Sequence, residues 1–336
     1  MNHPENTTPY MHDQLTVPTS AEKAKITETG DVAVRVSGLT HRFGELTALL
    51  DVTFQVPRGG IYGLLGPNGS GKSTLFRILS THLLPSAGTV FISRIDIFRD
   101  PDAVRTRIAV VFQEPSVDEK LTVVENLRHH GYCYGLSGKE LRRAIDNMLG
   151  QFGLRERSHD RVETLSGGLR RKVEIAKGLL CDPEIVLMDE PTTGLDPRAR
   201  RDFWDLIEQI NQERHITFLT TTHLMDEADR CDRVAILDAG ELVAEDSPAA
   251  LRNRIGGEVV EIHTENTALL SEGLKERFGI TATVLNHTLR FDSEEGHHLV
   301  PDVVDRFREH IQEITVRKPT LEDVFIHLTG HRMEDV

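Results

Sequence analysis

The run Gly66-Pro67-Asn68-Gly69-Ser70-Gly71-Lys72-Ser73-Thr74 decides the fold of this chain. It matches the phosphate-loop pattern G-x-x-x-x-G-K-[ST] at every fixed position. The apolar residues 61–65 before it predict a buried strand, and residues 74–79 after it predict a helix. Strand, glycine loop and helix is the context that this motif requires. The sequence therefore predicts a phosphate site within an α/β fold.

Each part of the loop has a predicted task. The glycines let backbone N–H groups approach the phosphates, and the helix N-terminus adds partial positive charge. Lys72 is expected to reach the β- and γ-phosphates of ATP, and the hydroxyl of Ser73 to hold Mg²⁺. The predicted nucleotide-binding residues of the loop are Gly66, Pro67, Asn68, Gly69, Ser70, Gly71, Lys72, Ser73 and Thr74.

A second phosphate-site element is Ile185-Val186-Leu187-Met188-Asp189-Glu190. Its four apolar residues predict a buried parallel strand, with two carboxylates at the carboxyl end, where ligands bind in open α/β sheets. Asp189 is expected to ligate Mg²⁺ directly or from its second coordination sphere. Glu190 is placed to polarise an attacking water, which predicts hydrolysis of the bound nucleotide.

With Leu165-Ser166-Gly167-Gly168 added, the chain resembles the nucleotide-binding subunits of ATP-binding cassette (ABC) transporters. The resemblance implies that Ser166, Gly167 and Gly168 open a helix facing the γ-phosphate bound to a second subunit. ATP binding would then close a dimer. One departure is Leu169, where the family commonly has Gln. It suits the drug- and polymer-exporter branch and implies one side-chain contact fewer to the nucleotide.

The same resemblance predicts roles for four further residues, in the order of the family motifs. Phe43 resembles the aromatic that stacks on adenine, and Gln113 the glutamine that senses Mg²⁺ and the lytic water. Asp196 resembles the residue that crosses the dimer interface, and His223 the histidine that contacts the γ-phosphate and orients the water. The predicted catalytic residues are Glu190, His223 and Gln113, and the predicted metal contacts are Ser73, Gln113 and Asp189.

Composition bears on three further questions: nucleic-acid binding, membrane spans and the use of the cysteines. The net charge of −14 argues against a general nucleic-acid binder. The longest apolar runs fall short of the ~18 residues that a membrane span requires, so we expect a chain soluble by itself. Three cysteines without CxxC spacing favour a reducing compartment over a disulfide framework or a zinc site.

The chain divides into three predicted parts. Residues 1–30 are expected to form a disordered tail, and residues 31–250 an ABC ATP-binding domain with a helical part at about 115–164. Alternating apolar residues at 31–60 predict a half-buried antiparallel sheet. In the helical part, one helix is predicted to open at Leu121 and another to run from Leu141 to Phe152, with Leu141, Ile145, Met148 and Phe152 on one face.

Residues 251–336 are expected to form a small α+β domain. Within them a hairpin is predicted at 281–291, with Asn286-His287 at its tip, and a helix at 300–311. They end in a helix started by Pro319, which is expected to dock without a chemical role. This ending resembles the tail of exporter ATPases of the drug-resistance, daunorubicin-type branch.

The predicted fold class is an α/β P-loop ATPase of the ABC type, with antiparallel β and helical subdomains and a small α+β C-terminal domain. The resemblance implies a subunit that drives export of a drug, lipid or polymer. Its expected partners are a separate multi-span permease and a second, identical or related ATPase subunit, at the cytoplasmic face of the membrane. Two alternatives stay open: an importer subunit, and a soluble ABC ATPase acting on ribosomes or DNA. The sequence does not identify the cargo.

Overall fold

The computed structural model describes residues 31–294 and 296–333, so the tail predicted for residues 1–30 lies outside it. The described strands, in chain order, are β1 (Val32–Phe43), β2 (Leu46–Pro57), β3 (Ile61–Leu65), β4 (Ala87–Ile92), β5 (Ile95–Asp96), β6 (Ile108–Val111), β7 (Ile185–Asp189), β8 (Thr217–Thr222), β9 (Arg233–Asp238), β10 (Glu241–Asp246), β11 (Glu258–His263), β12 (Thr283–Leu285), β13 (Thr288–Ser293) and β14 (Glu313–Arg317). The described α-helices are α1 (Lys72–Leu79), α2 (Pro101–Arg105), α3 (Val123–Cys133), α4 (Gly138–Gln151), α5 (Gly167–Leu179), α6 (Pro197–Arg214), α7 (Met225–Ala228), α8 (Pro248–Asn253), α9 (Thr267–Phe278), α10 (Gly296–Phe307) and α11 (Leu321–Thr329).

A six-stranded sheet forms the centre of the fold. Its order is β10-β9-β3-β8-β7-β6, with β9, β3, β8, β7 and β6 parallel and β10 antiparallel to β9. Side chains of β3 and β8 are buried over their whole length, as are those of β7 except the last. Burial on both faces explains the apolar runs of β3 and β7. The predicted α/β fold class is confirmed.

The antiparallel sheet predicted near the start of the chain is also confirmed. β1 pairs with β2 and with β4, and the sheet order is β2-β1-β4-β5. Its inner face and α1 share one apolar core with one side of the central sheet. In that core the rings of Phe54 and Tyr62 stack with centroids 5.5 Å apart. This packing fixes the base of the glycine loop.

Two long helices occupy the segment predicted to be helical, residues 115–164. The first of them, α3, begins at Val123 rather than at the predicted Leu121, because Thr122 and Glu125 form a capping box. α4 begins three residues before the predicted start at Leu141. The predicted apolar residues Leu141, Ile145, Met148 and Phe152 are all buried, the last at the helix end, and Leu149 is buried with them. Both helices pack on α5.

A third sheet follows in the last part of the chain, in the order β12-β13-β11-β14. The predicted hairpin joins β12 to β13 through Asn286, whose φ is 55°. α10 starts and ends four residues before the helix predicted at 300–311. It ends early because residues 308–310 turn as a 3₁₀ helix. The final helix α11 is not started by Pro319: Thr320 caps it, and Asp323 completes a capping box.

No helix within the described residues combines the length and the apolar character needed to cross a bilayer.

Candidate functional site

Three neighbouring strands bring the predicted phosphate-site residues to one edge of the central sheet. The glycine loop follows β3, His223 follows β8, and Asp189 and Glu190 lie at the end of β7. β8 lies between the other two strands and is parallel to both. Because the carboxyl ends of parallel strands meet at the same edge, residues far apart in sequence become neighbours here.

The glycine loop wraps around the amino group of its own lysine. Lys72 is buried at the start of α1, and its Nζ donates hydrogen bonds of 2.7 Å to the carbonyl oxygens of Gly66 and Pro67. Gly71 has a φ of 100°, and a Cβ there would lie 2.6 Å from the carbonyl oxygen of Ala48. Only glycine fits this position, which lets the loop turn tightly into the helix.

The charges of the site fit a polyphosphate and a hard cation. Burial lowers the pKa of Lys72, and the carboxylates of Glu190 and Asp189 partly offset this effect. Burial raises the pKa of Asp189, against the 2.5 Å hydrogen bond that Thr221 Oγ1 donates to it. The two carboxylates and the exposed hydroxyl of Ser73 are oxygen donors of the kind that Mg²⁺ prefers. The lysine and the N-terminus of α1 suit phosphate groups.

The carboxylate of Glu190 is where the predicted catalytic side chains meet. Gln113 Nε2 donates to Glu190 Oε2 at 3.4 Å, and His223 Nδ1 lies 3.2 Å from Oε1 without hydrogen-bond geometry. The Glu190 N–H donates to Thr221 Oγ1 at 3.0 Å. The φ of Glu190 is 42°, a conformation that costs a non-glycine residue about 1–3 kcal/mol. The arrangement is suited to orienting a water beside a bound phosphate.

Comparison with known proteins agrees with this geometry. Residues 49–193 match the sequence profile of the family described as "ABC transporter". The chain is 35% identical to the daunorubicin resistance ATP-binding protein DrrA3 of Streptomyces coeruleorubidus, over 89% of this chain and 96% of that protein. It is 35% identical to the Nod factor export ATP-binding protein I of Mesorhizobium japonicum, over 98% of this chain and 96% of that protein.

The chain is an ATP-binding subunit of the ABC transporter family. It therefore binds ATP and hydrolyses it to power transport, and the predicted resemblance to the daunorubicin-type branch is confirmed. A solved structure titled as the dimeric post-hydrolysis state of the cassette MJ0796 with ADP and Pi has a TM-score of 0.58 and 29% identity. That match covers 64% of this subunit and 98% of that chain.

The signature residues of this ABC subunit do not join the cluster around Lys72. Ser166 caps α5, and its exposed hydroxyl accepts a hydrogen bond from the Leu169 N–H at 3.4 Å. No hydrogen bond or ion pair within residues 31–294 and 296–333 links Ser166, Gly167 or Gly168 to the glycine loop. Leu169 packs against the larger apolar core.

Phe43 and Asp196 also lie outside the cluster. Phe43 ends β1 with 47% of its surface exposed, and its ring meets the edge of His41 at a centroid distance of 4.4 Å. Asp196 is exposed and caps α6 by accepting hydrogen bonds of 3.0 Å from the N–H groups of Arg198 and Ala199. These hydrogen bonds lower the pKa of the Asp196 carboxyl. An exposed aromatic ring is available for stacking.

Glu227 is a site residue that the sequence analysis missed. Its buried carboxylate accepts a hydrogen bond from Thr192 Oγ1 and another of 2.7 Å from Thr222 Oγ1, and Arg200 Nε lies 3.8 Å away. Glu227 therefore links Thr222, next to His223, to Thr192, two residues after Glu190. Nothing in the sequence marks it, because a glutamate is usually exposed.

A cavity of about 390 Å³ opens beside the site. Its lining includes Asn68 of the glycine loop and His223, together with Glu322 and Met333 from the last part of the chain. Helix α11 packs against α7 and α8, next to the strand end that carries His223. The helix predicted to dock without chemistry thus docks at the edge of the ATP site.

Proposed function

We propose that this subunit powers export through a separate multi-span permease, at the cytoplasmic face of the cell membrane. Support comes from its similarity, over most of its length, to proteins named for daunorubicin resistance and for Nod factor export. The proposed cargo is a drug, lipid or polymer. The similarity extends over more than nine-tenths of the length of these exporters, which favours an exporter over an importer subunit.

Within each site, Lys72 is proposed to hold the β- and γ-phosphates, and Glu190 to accept a proton from the attacking water. Gln113 and His223 orient that water and the γ-phosphate. The observation that carries this assignment is the convergence of Gln113 and His223 on the Glu190 carboxylate, at 3.4 and 3.2 Å. Phosphoryl transfer depends mainly on positioning and electrostatics, which such a cluster supplies.

Ser73, Asp189 and Gln113 are proposed to hold Mg²⁺. The ion would neutralise charge on the β- and γ-phosphates. Asp189 is kept in place for this task by the hydroxyl of Thr221, and Ser73 by the first turn of α1.

Two subunits, identical or related, are proposed to pair head to tail around two ATP molecules. Ser166 and the N-terminus of α5 are exposed, so they are free to meet the γ-phosphate on another chain. Asp196, also exposed, is proposed to cross the same interface. ATP binding closes this dimer, and hydrolysis followed by phosphate release opens it. The permease would be driven between two conformations by these steps.

The permease is proposed to dock on the helical part, residues 115–164. Tyr132 and Tyr134 at the end of α3 are about half exposed, and Tyr134 also lines a cavity of about 310 Å³. Exposed aromatic side chains of this kind are typical of protein interfaces. We further propose that residues 31–250 form the ATPase domain and residues 251–336 a C-terminal domain.

The test is the variant Glu190→Gln, which keeps the size of the side chain and removes its basicity. We expect ATP affinity within about twofold of wild type and a loss of hydrolysis of about 100-fold or more. Phosphate release and equilibrium ATP binding would be measured on the same preparation. Hydrolysis by the variant at near the wild-type rate would contradict the assignment of Glu190.

Export itself is tested in cells. A tagged chain purified in mild detergent should retain a multi-span membrane protein in roughly equal amount. Recovery of ribosomal or DNA-bound proteins instead would contradict the transport proposal and leave only the ATPase activity.

A further inference from the structure

Side chains on one face of α5 hold the loop that carries Gln113. Arg171 Nη1 donates a 2.7 Å hydrogen bond to the carbonyl oxygen of Phe112, and Nη2 donates one of 3.0 Å to that of Gln113. Six residues further along α5, Lys177 Nζ donates hydrogen bonds of 2.7 and 2.8 Å to the carbonyl oxygen and to Oγ of Ser116. One helix therefore holds the loop at Phe112, Gln113 and Ser116.

Glu174 completes this set and balances the charge of Arg171. Its Oε2 accepts a 2.6 Å hydrogen bond from Arg171 Nη1, and its Oε1 accepts one of 2.5 Å from the Ser116 N–H. The two side chains are only 5% and 1% exposed. A buried ion pair is tolerated when further hydrogen bonds satisfy its atoms, and here backbone groups of the loop supply them. Arg171, Glu174 and Lys177 are called the α5 clamp below.

The α5 clamp links the helix that Ser166 caps to the loop that carries Gln113. Helix α5 is capped by Ser166, and Arg171 follows five residues later, little more than one turn away. The loop that Arg171 holds carries Gln113, whose side chain reaches Glu190 at 3.4 Å. A shift of α5 would therefore be passed to the Gln113–Glu190 contact through the two hydrogen bonds that the buried Arg171 side chain donates to the backbone of the loop.

We propose that the α5 clamp positions Gln113 for hydrolysis and ties the two ATP sites of the dimer together. The inference rests on the proposed function, in which Ser166 meets the ATP of the partner chain and Gln113 serves the ATP of its own. The nucleotide touched by the N-terminus of α5 then changes the place of Gln113 in the other site. Coupling of this kind is measured as cooperativity in ATP hydrolysis.

The chemistry of arginine makes the clamp testable without removing its charge. A guanidinium is planar and presents several N–H donors, so Arg171 reaches two successive carbonyl oxygens and Glu174 together. The ammonium of a lysine is a point charge on a flexible stem and cannot span the same three acceptors. Arg171→Lys therefore keeps the buried positive charge but cannot make all the hydrogen bonds that hold the backbone of Phe112 and Gln113.

We expect Arg171→Lys to lower kcat about 10-fold or more, because displacing a catalytic group by about 1 Å has effects of this size. ATP affinity, measured at equilibrium, should stay within about twofold of wild type, and the Hill coefficient for ATP should fall toward one. The matched control is Lys172→Met on the same helix, a residue outside the clamp, which should retain both values. Wild-type kcat and cooperativity in Arg171→Lys would overturn the proposal.

A double-mutant cycle with Gln113→Ala decides whether Arg171 acts through Gln113. If it does, the double variant hydrolyses ATP no more slowly than Gln113→Ala alone. Losses that multiply would mean that Arg171 acts elsewhere and would overturn the proposal. Wild-type activity of Gln113→Ala would contradict the proposed role of Gln113 itself, whereas a slow Gln113→Ala beside a normal Arg171→Lys would contradict the clamp alone.

A second variant keeps the proposal testable if Arg171→Lys fails to fold. Lys177→Met removes the two hydrogen bonds to Ser116 and leaves those of Arg171, and this side chain is partly exposed, so the fold should survive. We expect a smaller fall in kcat in the same direction, again absent in the Gln113→Ala background. Melting temperatures of all variants would be recorded. A full wild-type rate for Lys177→Met, together with an unfolded Arg171→Lys, would count against the clamp.

Discussion

Glu190 shows at the residue scale how much of the site depends on backbone geometry. It is a non-glycine residue at a φ of 42°, and its N–H is held by Thr221 Oγ1. Such strain persists only where the surroundings determine it, and it is common at functional sites. The Asp-Glu pair after an apolar strand predicted the position of Glu190. The unusual φ and the role of Thr221 depend on the neighbouring strand, so no local pattern could show them.

Lys72→Ala tests the glycine loop. The variant removes the buried ammonium that Gly66 and Pro67 now surround, so the phosphates would lose their nearest positive charge. We expect ATP affinity to fall about 10-fold or more, as for loss of a charge-assisted hydrogen bond. Fluorescent-nucleotide titration measures this directly. An unchanged dissociation constant would remove Lys72 from the site.

Glu227→Ala tests the buried carboxylate that the sequence did not reveal. The hydroxyls of Thr192 and Thr222 and the guanidinium of Arg200 would lose a shared acceptor inside the protein. Leaving buried polar groups unsatisfied costs about 1–3 kcal/mol, so the free energy of unfolding should fall by that amount. Urea denaturation measures it, with the exposed Glu241→Ala as the control. A loss no larger than that of the control would show that Glu227 is not a structural tie.

Helix α3 gives a prediction at the element scale. Burial, followed by the positive charge of Lys177, lowers the pKa of His130 to about 4. The unfolded chain, with a histidine pKa of about 6.5, therefore binds a proton more readily than the folded chain between these values. Stability from the neutral imidazole is present above about pH 6.5 and is lost as the pH falls toward 4.

The measurement compares the free energy of unfolding at pH 7 and pH 5 for wild type and His130→Gln. Because His130 is not fully buried, we expect the wild type to lose only on the order of 1 kcal/mol more than the variant. Equal losses in both proteins would mean that His130 titrates normally.

The elements themselves show where sequence patterns succeed and where they fail. The glycine loop, β7 and the apolar face of α4 were predictable because each has a local pattern of spacing or burial. The first residues of the helices were harder to predict. Helices α3 and α11 begin where Thr122 and Thr320 cap them, and α10 begins before its apolar pattern does. The α5 clamp was not predictable, since Arg171 and Glu174 read as an exposed helical pair.

At the scale of the whole molecule, the order β3-β8-β7 gathers the site and leaves Ser166 outside it. Within the described residues Ser166 makes no hydrogen bond to the glycine loop, which supports the proposal that it serves the nucleotide of a second chain. Helix α11 and the residues after it add a long-range feature, because Glu322 and Met333 line the cavity beside the predicted ATP site. Such a contact between distant parts of the chain follows from packing and cannot be read from a tail sequence.

Sedimentation velocity of Glu190→Gln, with and without ATP and Mg²⁺, tests the central claim most directly. We predict a monomer without nucleotide and a dimer with it. Adding Ser166→Arg should abolish the dimer while leaving the ATP affinity of each chain within about twofold, because Ser166 contacts the nucleotide of the other chain. A mass that does not respond to ATP, or an ATP affinity of the monomer that falls with Ser166→Arg, would contradict the account.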